Sequence, residues 1–402
     1  MKLKPGAVTP PVRGFRFAGV HAGLKSRARR DFALIVADKP AVCAAVFTKN
    51  RAAAAPVQVA REHVRDGEVQ AIMVNSGCAN AGTGEKGFKF AEWSCRELAA
   101  RLTIDPSLVL PCSTGVIGVQ LDRTRFARAV SLGVDALSRK AFPAAARAIM
   151  TSDAFPKWSH RTVSIAGADV TVAGMAKGAG MICPNMATML AFVVTDAPLG
   201  KQAARAIVDD CVGRTFNRIS VDGDTSTNDT VALLASGQAP VASIDGPGAP
   251  AYAAVAEAVR AVMDDLARLI VRDGEGAKHV VDIVVDGASD GSAAERIARA
   301  IAGSVLFRCA VAGADPNWGR IFCAIGNSGI DVDLDALAID MGDVALVRDG
   351  VIVSEEAARS ARKVMRRETY RMLVRVGKGS GSAVVITSDL TEAYVRFNSA
   401  YS

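Results

Sequence analysis

Residues 177–190 read KGAGMICPNMATML, a Gly-rich turn and a Pro-Asn pair set directly ahead of Ala187-Thr188 and the apolar run AFVV. TVSIAGADVTVAGMAKG leads into this stretch as a strand region, and TMLAFVVTD leaves it as a buried strand. Upstream, FALIVAD, AVCAAVFT and VQAIMVNSG are rich in β-formers, and GFKFAEWSCRELAARL has the apolar spacing of an amphipathic helix. A helical pair follows over roughly 122–150, and further helices are predicted in GKQAARAIVDDCVGRTF and AYAAVAEAVRAVMDDLARLIVRD. The alternation predicts α/β layers.

A composition change at 274–278 predicts a boundary between a catalytic layered α/β domain, residues 1–278, and a smaller α+β domain, residues 279–402. In the latter, HVVDIVVDG, SVLFRCAVAG, LDALAIDMG and SAVVITSDL read as short strands. An Ala/Pro/Gly connection at 239–250 is expected to be a surface loop.

With 402 residues, half of them apolar and 22% charged, the chain can bury a large core. No apolar run approaches membrane-spanning length and no signal h-region is visible, so a cytoplasmic protein is expected. The eight cysteines lack any CxxC pair and read as reduced core residues. The four histidines form no HxH or HExxH spacing, so neither a metal nor another cofactor is expected. The net charge of +7 is diluted along the chain. Clusters such as KSRARR (25–30) and RKVMRR (362–367) read as solvated faces without the aromatic interleaving of a nucleic-acid patch.

Two motifs fail as catalytic signatures. GAGMIC (178–183) has Cys183 where a dinucleotide fingerprint needs its third glycine, and no helix follows. Gly287-Ala288-Ser289-Asp290-Gly291 fits G-x-S-x-G, but the last histidine, His279, precedes Ser289, so strand-to-helix turn chemistry is the better account. The Ala187-Thr188 junction offers another route. A threonine hydroxyl needs a base, and cleavage before Thr188 would free an α-amino group, with a reference pKa of about 8, beside the hydroxyl. On local sequence alone, a plain Gly/Pro loop entering a strand is the commoner explanation.

KGAGMICPNMATML, CSTGVIG (112–118), MTSDAFPK (150–157), SVDGDTSTNDT (220–230), GADPNWGR (313–320) and FNSAYS (397–402) together resemble the ornithine acetyltransferase family of arginine biosynthesis, nearly end to end. The resemblance implies a layered αββα fold like that of N-terminal-nucleophile hydrolases and autocatalytic cleavage into an α chain, 1–187, and a β chain, 188–402. It implies a metal-free ping-pong transfer of acetyl from N-acetylornithine to glutamate. Some members also make N-acetylglutamate from acetyl-CoA, and an α2β2 heterotetramer is implied. By the same resemblance Thr188 is the nucleophile, Ala187-Thr188 the cleavage site, and Thr114 with Gly115 the oxyanion pair. Thr151, Lys177, Thr188, Glu275 and Asn398 are the substrate contacts, and Ser402 stands one residue short of the family's last hydroxyl contact. Asn-Ser-Gly at 75–77 and Asp-Gly-Asp-Thr at 222–225 are expected to brace the site. Asp315 is expected to cap a helix starting at Asn317-Trp318. A self-processing amide hydrolase and an uncleaved amino-acid-binding paralogue are the rival readings.

Overall fold

The computed structural model describes residues 11–25, 29–183 and 189–400. Two compact units are formed, Met1–Asn217 with Asp224–Ile270, and Arg218–Gly223 with Val271–Ser402. The predicted mixed α/β class is observed, with one large sheet in each unit.

The first sheet runs in the order Val109–Val116, Glu68–Cys78, Phe32–Phe47, Thr230–Ala235, Leu190–Thr195, Ala168–Lys177 and Lys157–Ile165, with Phe15–Val20 paired to Phe32–Phe47. Its central strands Leu190–Thr195 and Thr230–Ala235 are parallel and buried at every residue. They carry continuous apolar runs rather than an alternating pattern because both faces are covered. FALIVAD and AVCAAVFT merge into one strand, Phe32–Phe47, whose register on Glu68–Cys78 shifts between Val36 and Ala41.

Side-chain alternation along that strand separates two cores. Ala33, Ile35 and Ala37 join Phe17, Phe142 and Phe192, while Phe32, Leu34 and Val36 join Phe90, Leu98 and Phe126. Helix Gly84–Leu102 buries Gly87, Phe90, Ala91, Ser94, Cys95, Leu98 and Ala99, a stripe at helical spacing. The predicted helical pair is Arg123–Asp135 and Phe142–Ala148, the first capped by Asp122, which accepts from Arg125 N at 2.8 Å.

In the second unit the sheet order is Val351–Ile352, Val344–Arg348, Ala338–Met341, Thr369–Arg375, Val280–Ala288, Gly381–Ser388 and Ile219–Ser220. Helix Gly291–Gly303 buries Ile297 and Ile301 against Ile283, Val285 and Val385. SVLFRCAVAG is not a strand but the helix Val305–Ala312. The Ser304 hydroxyl accepts from Phe307 N at 3.2 Å, and Phe307, Ala310 and Val311 fall on one buried face. A short apolar run fits either period, and here the cap and the tertiary contacts decide.

Among the described residues, no helix is long and apolar enough to cross a membrane. Five cysteines are buried as expected, but Cys309 and Cys323 are exposed.

Candidate functional site

Thr114 and Gly115 lie near the end of strand Val109–Val116, which runs parallel to Glu68–Cys78 and pairs them with Ser76 and Gly77. Gly115 has φ +136°, and a Cβ there would sit 2.3 Å from the Gly77 carbonyl carbon, so only glycine fits. An amide network fixes the turn. Ser113 Oγ donates to Asn75 Oδ1 at 2.6 Å, and Asn75 Nδ2 donates to Cys78 O at 2.9 Å. Asn228 Nδ2 donates to the carbonyls of Ala79, at 2.6 Å, and Ser113, at 2.9 Å. Asn75, Ser113 and Asn228 are all buried, as such fully paired polar groups can be.

Lys177 ends the strand Ala168–Lys177, and its ladder partner is Leu190, the first residue of the next strand. Both ends of the 177–190 stretch therefore meet on one rung. Lys177 Nζ donates to Thr114 Oγ1 at 3.0 Å, across 63 residues of sequence. Within the connection, Ile182 bridges to Thr225, whose hydroxyl donates to Cys183 O at 3.1 Å. Ala187 and Thr188, the expected cleavage site and nucleophile, lie outside the described residues.

Thr151 is tied to the same region through Asp153. The buried Asp153 carboxylate accepts from Thr151 N at 2.8 Å, from Gly178 N at 2.7 Å and from Lys157 Nζ at 2.6 Å. Burial alone would raise its pKa, but the Lys157 and Lys177 ammoniums and the Gly178 N–H outweigh it and hold the carboxyl well below the ordinary range. Lys25 Nζ donates to Met150 O at 2.6 Å. Burial, aided by Lys177 and Arg29, brings its pKa down to about 8 against the pull of Asp31 and Asp153.

A further carboxyl is Asp229, the residue before strand Thr230–Ala235, 1% exposed and with Oδ2 unbonded among the described residues. Its neighbour Thr230 donates its N–H to Met189 O at 3.0 Å. Burial raises its pKa well above the carboxylate range, with Lys177 opposing first, then the Ser226 hydroxyl and the Met189 and Ser226 N–H groups.

In the second unit Glu275 and Asn398 are joined directly, Asn398 Nδ2 donating to Glu275 Oε2 at 3.0 Å. Asn398 ends the helix Glu392–Asn398. Gly276, with φ +73°, lets the Glu275 loop approach that helix, because a Cβ there would meet Tyr394 N at 2.7 Å. Thr391 Oγ1 donates to Gly276 O at 2.8 Å, and Asp389 accepts from Lys278 N at 2.8 Å and His279 N at 3.1 Å.

The structure thus gathers Thr114, Gly115, Lys177 and Thr151 in one unit, and Glu275 with Asn398 in the other. Sequence reasoning missed Asp153, Asn228 and Asp229. Each lies inside a quoted motif, MTSDAFPK or SVDGDTSTNDT, and the Asp153/Lys157 spacing of four was the one available hint. Asp315 is not a cap: helix Trp318–Gly326 is preceded by Asn317 and has no side-chain cap bond. Asp290 of the G-x-S-x-G decoy caps Gly291–Gly303, accepting from Ala293 N at 2.9 Å, which is the turn role expected of it.

The class these features define is a mixed α/β protein with a Thr-Gly turn bonded to the lysine that opens the 177–190 stretch. Residues 16–402 match the ArgJ family. The arginine biosynthesis bifunctional protein ArgJ of Geobacter sulfurreducens is 44% identical over 97% of this chain and 99% of its own. That of Symbiobacterium thermophilum is 43% identical over the whole of both chains. The crystal structure of arginine biosynthesis bifunctional protein ArgJ from Bacillus halodurans superposes with a TM-score of 0.51 at 37% identity, covering 53% of this chain and all of that one. The chain belongs to the ArgJ family.

Proposed function

We propose that the protein moves acetyl from N2-acetyl-L-ornithine to L-glutamate through an acetyl-threonine ester on Thr188, after cutting itself between Ala187 and Thr188. Membership of the ArgJ family makes it an acetyltransferase of arginine biosynthesis. The observation that carries the finer reading is the 3.0 Å bond from Lys177 to the Thr114 hydroxyl, at the rung where Lys177 meets Leu190. Thr188 precedes Leu190 by two residues along the chain.

The chemistry follows from the groups present. The Thr188 hydroxyl loses its proton to its own α-amine and attacks the acetyl carbonyl. Thr114 Oγ–H and Gly115 N–H take the developing oxyanion. A hydroxyl whose lone pair accepts from an ammonium has its proton free for that purpose. The tetrahedral adduct expels ornithine, which takes the proton. The amine of glutamate then attacks the ester and restores the threonine. Thr151 and Lys177 orient the acyl donor, and Glu275 and Asn398 receive the amino-acid part as a hydrogen-bonded pair, the carboxylate suiting an ammonium.

The α chain, 1–187, and β chain, 188–402, would assemble as α2β2 in the cytoplasm, acting on small molecules without a metal. Intact mass spectrometry of wild type beside Thr188→Ala tests the reading. Two wild-type fragments meeting at 187/188 and one whole variant chain are expected, and a wild-type chain that stays whole defeats it.

A further inference from the structure

Glu275 and Asn398 meet across 123 residues of sequence, and neither side chain is buried. Asn398 ends a seven-residue helix, Glu392–Asn398, that buries none of its residues. So short a helix is marginal by itself, and without an apolar face in the core its position depends on polar ties. Two lie near its start. Thr391 Oγ1 donates to Gly276 O at 2.8 Å, on the residue after Glu275, and the Tyr394 hydroxyl donates to Asp222 Oδ2 at 3.3 Å.

The segment leading into this helix is itself clamped from two sides. Arg308, 4% exposed, donates from Nε to Ser388 O at 2.9 Å and from Nη2 to Asp389 O at 3.3 Å, and its own carbonyl accepts from Leu390 N at 3.2 Å. Asp389, 3% exposed, accepts through Oδ1 from the N–H groups of Lys278 and His279, and its own N–H donates to His279 O at 3.3 Å. Residues 388–390 are thus bonded on one side to helix Val305–Ala312 and on the other to the chain leaving the Glu275 turn. Among the described residues Arg308 forms no ion pair, so a buried guanidinium and a buried carboxylate both direct their hydrogen bonds to backbone at this one junction. Buried charges contribute little net stability, and what these two fix is backbone geometry.

We propose that Arg308 and Asp389 are positioning residues for acetyl transfer: they set the Glu275 turn against the helix carrying Asn398, and so fix the spacing at which that pair receives the amino-acid part of the substrate. Neither touches substrate, and their role rests on the reading of Glu275 and Asn398 as substrate contacts. Loss of either loosens the pair and weakens binding, while Thr114, Gly115 and Lys177, which serve the chemical step, lie in the other unit.

The test is steady-state kinetics on the full protein with acetylornithine and glutamate, run as a double-mutant cycle. Asp389→Ala should raise KM for both substrates about tenfold, as expected when hydrogen bonds that order a binding group are lost. Its kcat should stay within about twofold of wild type. Asp389→Asn, which keeps an acceptor oxygen, should fall near wild type. Arg308→Met should behave as Asp389→Ala does, with partial recovery in Arg308→Lys. In a Glu275→Gln background Asp389→Ala should add less than about twofold to KM, because residues that act through one another are not additive. If Asp389→Ala does not fold, Thr391→Val removes only the bond to Gly276 O and should raise KM about threefold, an effect also lost in the Glu275→Gln background. A merely structural role would instead lower kcat at constant KM by reducing the folded fraction, and that result overturns the proposal. So does a full multiplicative effect of Asp389→Ala on top of Glu275→Gln. Should Glu275→Gln alone leave both KM values unchanged, the substrate-contact reading fails and the proposal falls with it, whereas an effect of Glu275→Gln without one of Asp389→Ala defeats the proposal only.

Discussion

Lys177 Nζ donates to Thr114 Oγ1 at 3.0 Å, joining the end of one strand to the turn that ends another 63 residues earlier. The bond couples the residue that opens the 177–190 stretch to half of the expected oxyanion pair. Thr114→Val keeps the side-chain shape and removes the hydroxyl. It should lower kcat about 10²–10³-fold, the usual effect of losing one oxyanion donor. Steady-state kinetics with acetylornithine and glutamate check this, and a KM rise at constant kcat would reassign Thr114 to binding.

Gly115→Ala must place a Cβ 2.3 Å from the Gly77 carbonyl carbon at φ +136°. Neither the backbone nor the partner strand can yield cheaply, so a loss of at least about 2 kcal/mol is expected. Urea unfolding of the variant beside wild type measures it. A midpoint within error of wild type would show that the two strands separate here more easily than the packing implies.

Asp229 is buried, and its carboxyl is held protonated well above its ordinary range. A carboxyl with a raised folded-state pKa binds more protons folded than unfolded. Stability therefore falls as pH rises from the unfolded value, about 3.9, toward the folded one. Asp229→Asn removes that slope. The variant should match wild type near pH 4 and exceed it progressively at higher pH, read from unfolding free energies across that range. A variant weaker than wild type at pH 8 would mean that the ionised carboxylate is stabilised in the folded protein.

Glu275 and Asn398 share a hydrogen bond in the second unit. Glu275→Gln retains an acceptor for Asn398 but loses the charge. KM for acetylornithine and for glutamate should rise several-fold with little change in thermal stability. Unchanged KM for both substrates would remove Glu275 from the site.

Much was legible in the residues themselves. The strands flanking 177–190 are short runs rich in valine and threonine and bounded by turn residues, which favours the extended period, and Gly84–Leu102 declares its buried stripe at helical spacing. Thr114, Gly115, Thr151, Lys177 and Asn398 were named through ordered motifs, which carry chemistry in short, local strings. SVLFRCAVAG was misread because an apolar run of that length suits either period, and the Ser304 cap with packing on the Phe307 face chose the helix.

By itself, then, the sequence determined the α/β class, the family and the residues expected at the site, because periodicity and motif are properties of neighbours along the chain. Tertiary structure alone decided that Lys177 meets Thr114, that Asn228 braces the Ser113 turn, and that Asp153 links Thr151 to Gly178. Each is a contact between residues far apart in sequence or a burial that shifts a proton. Its energy depends on which strands pair and what surrounds them once water is excluded, and local composition carries no record of that.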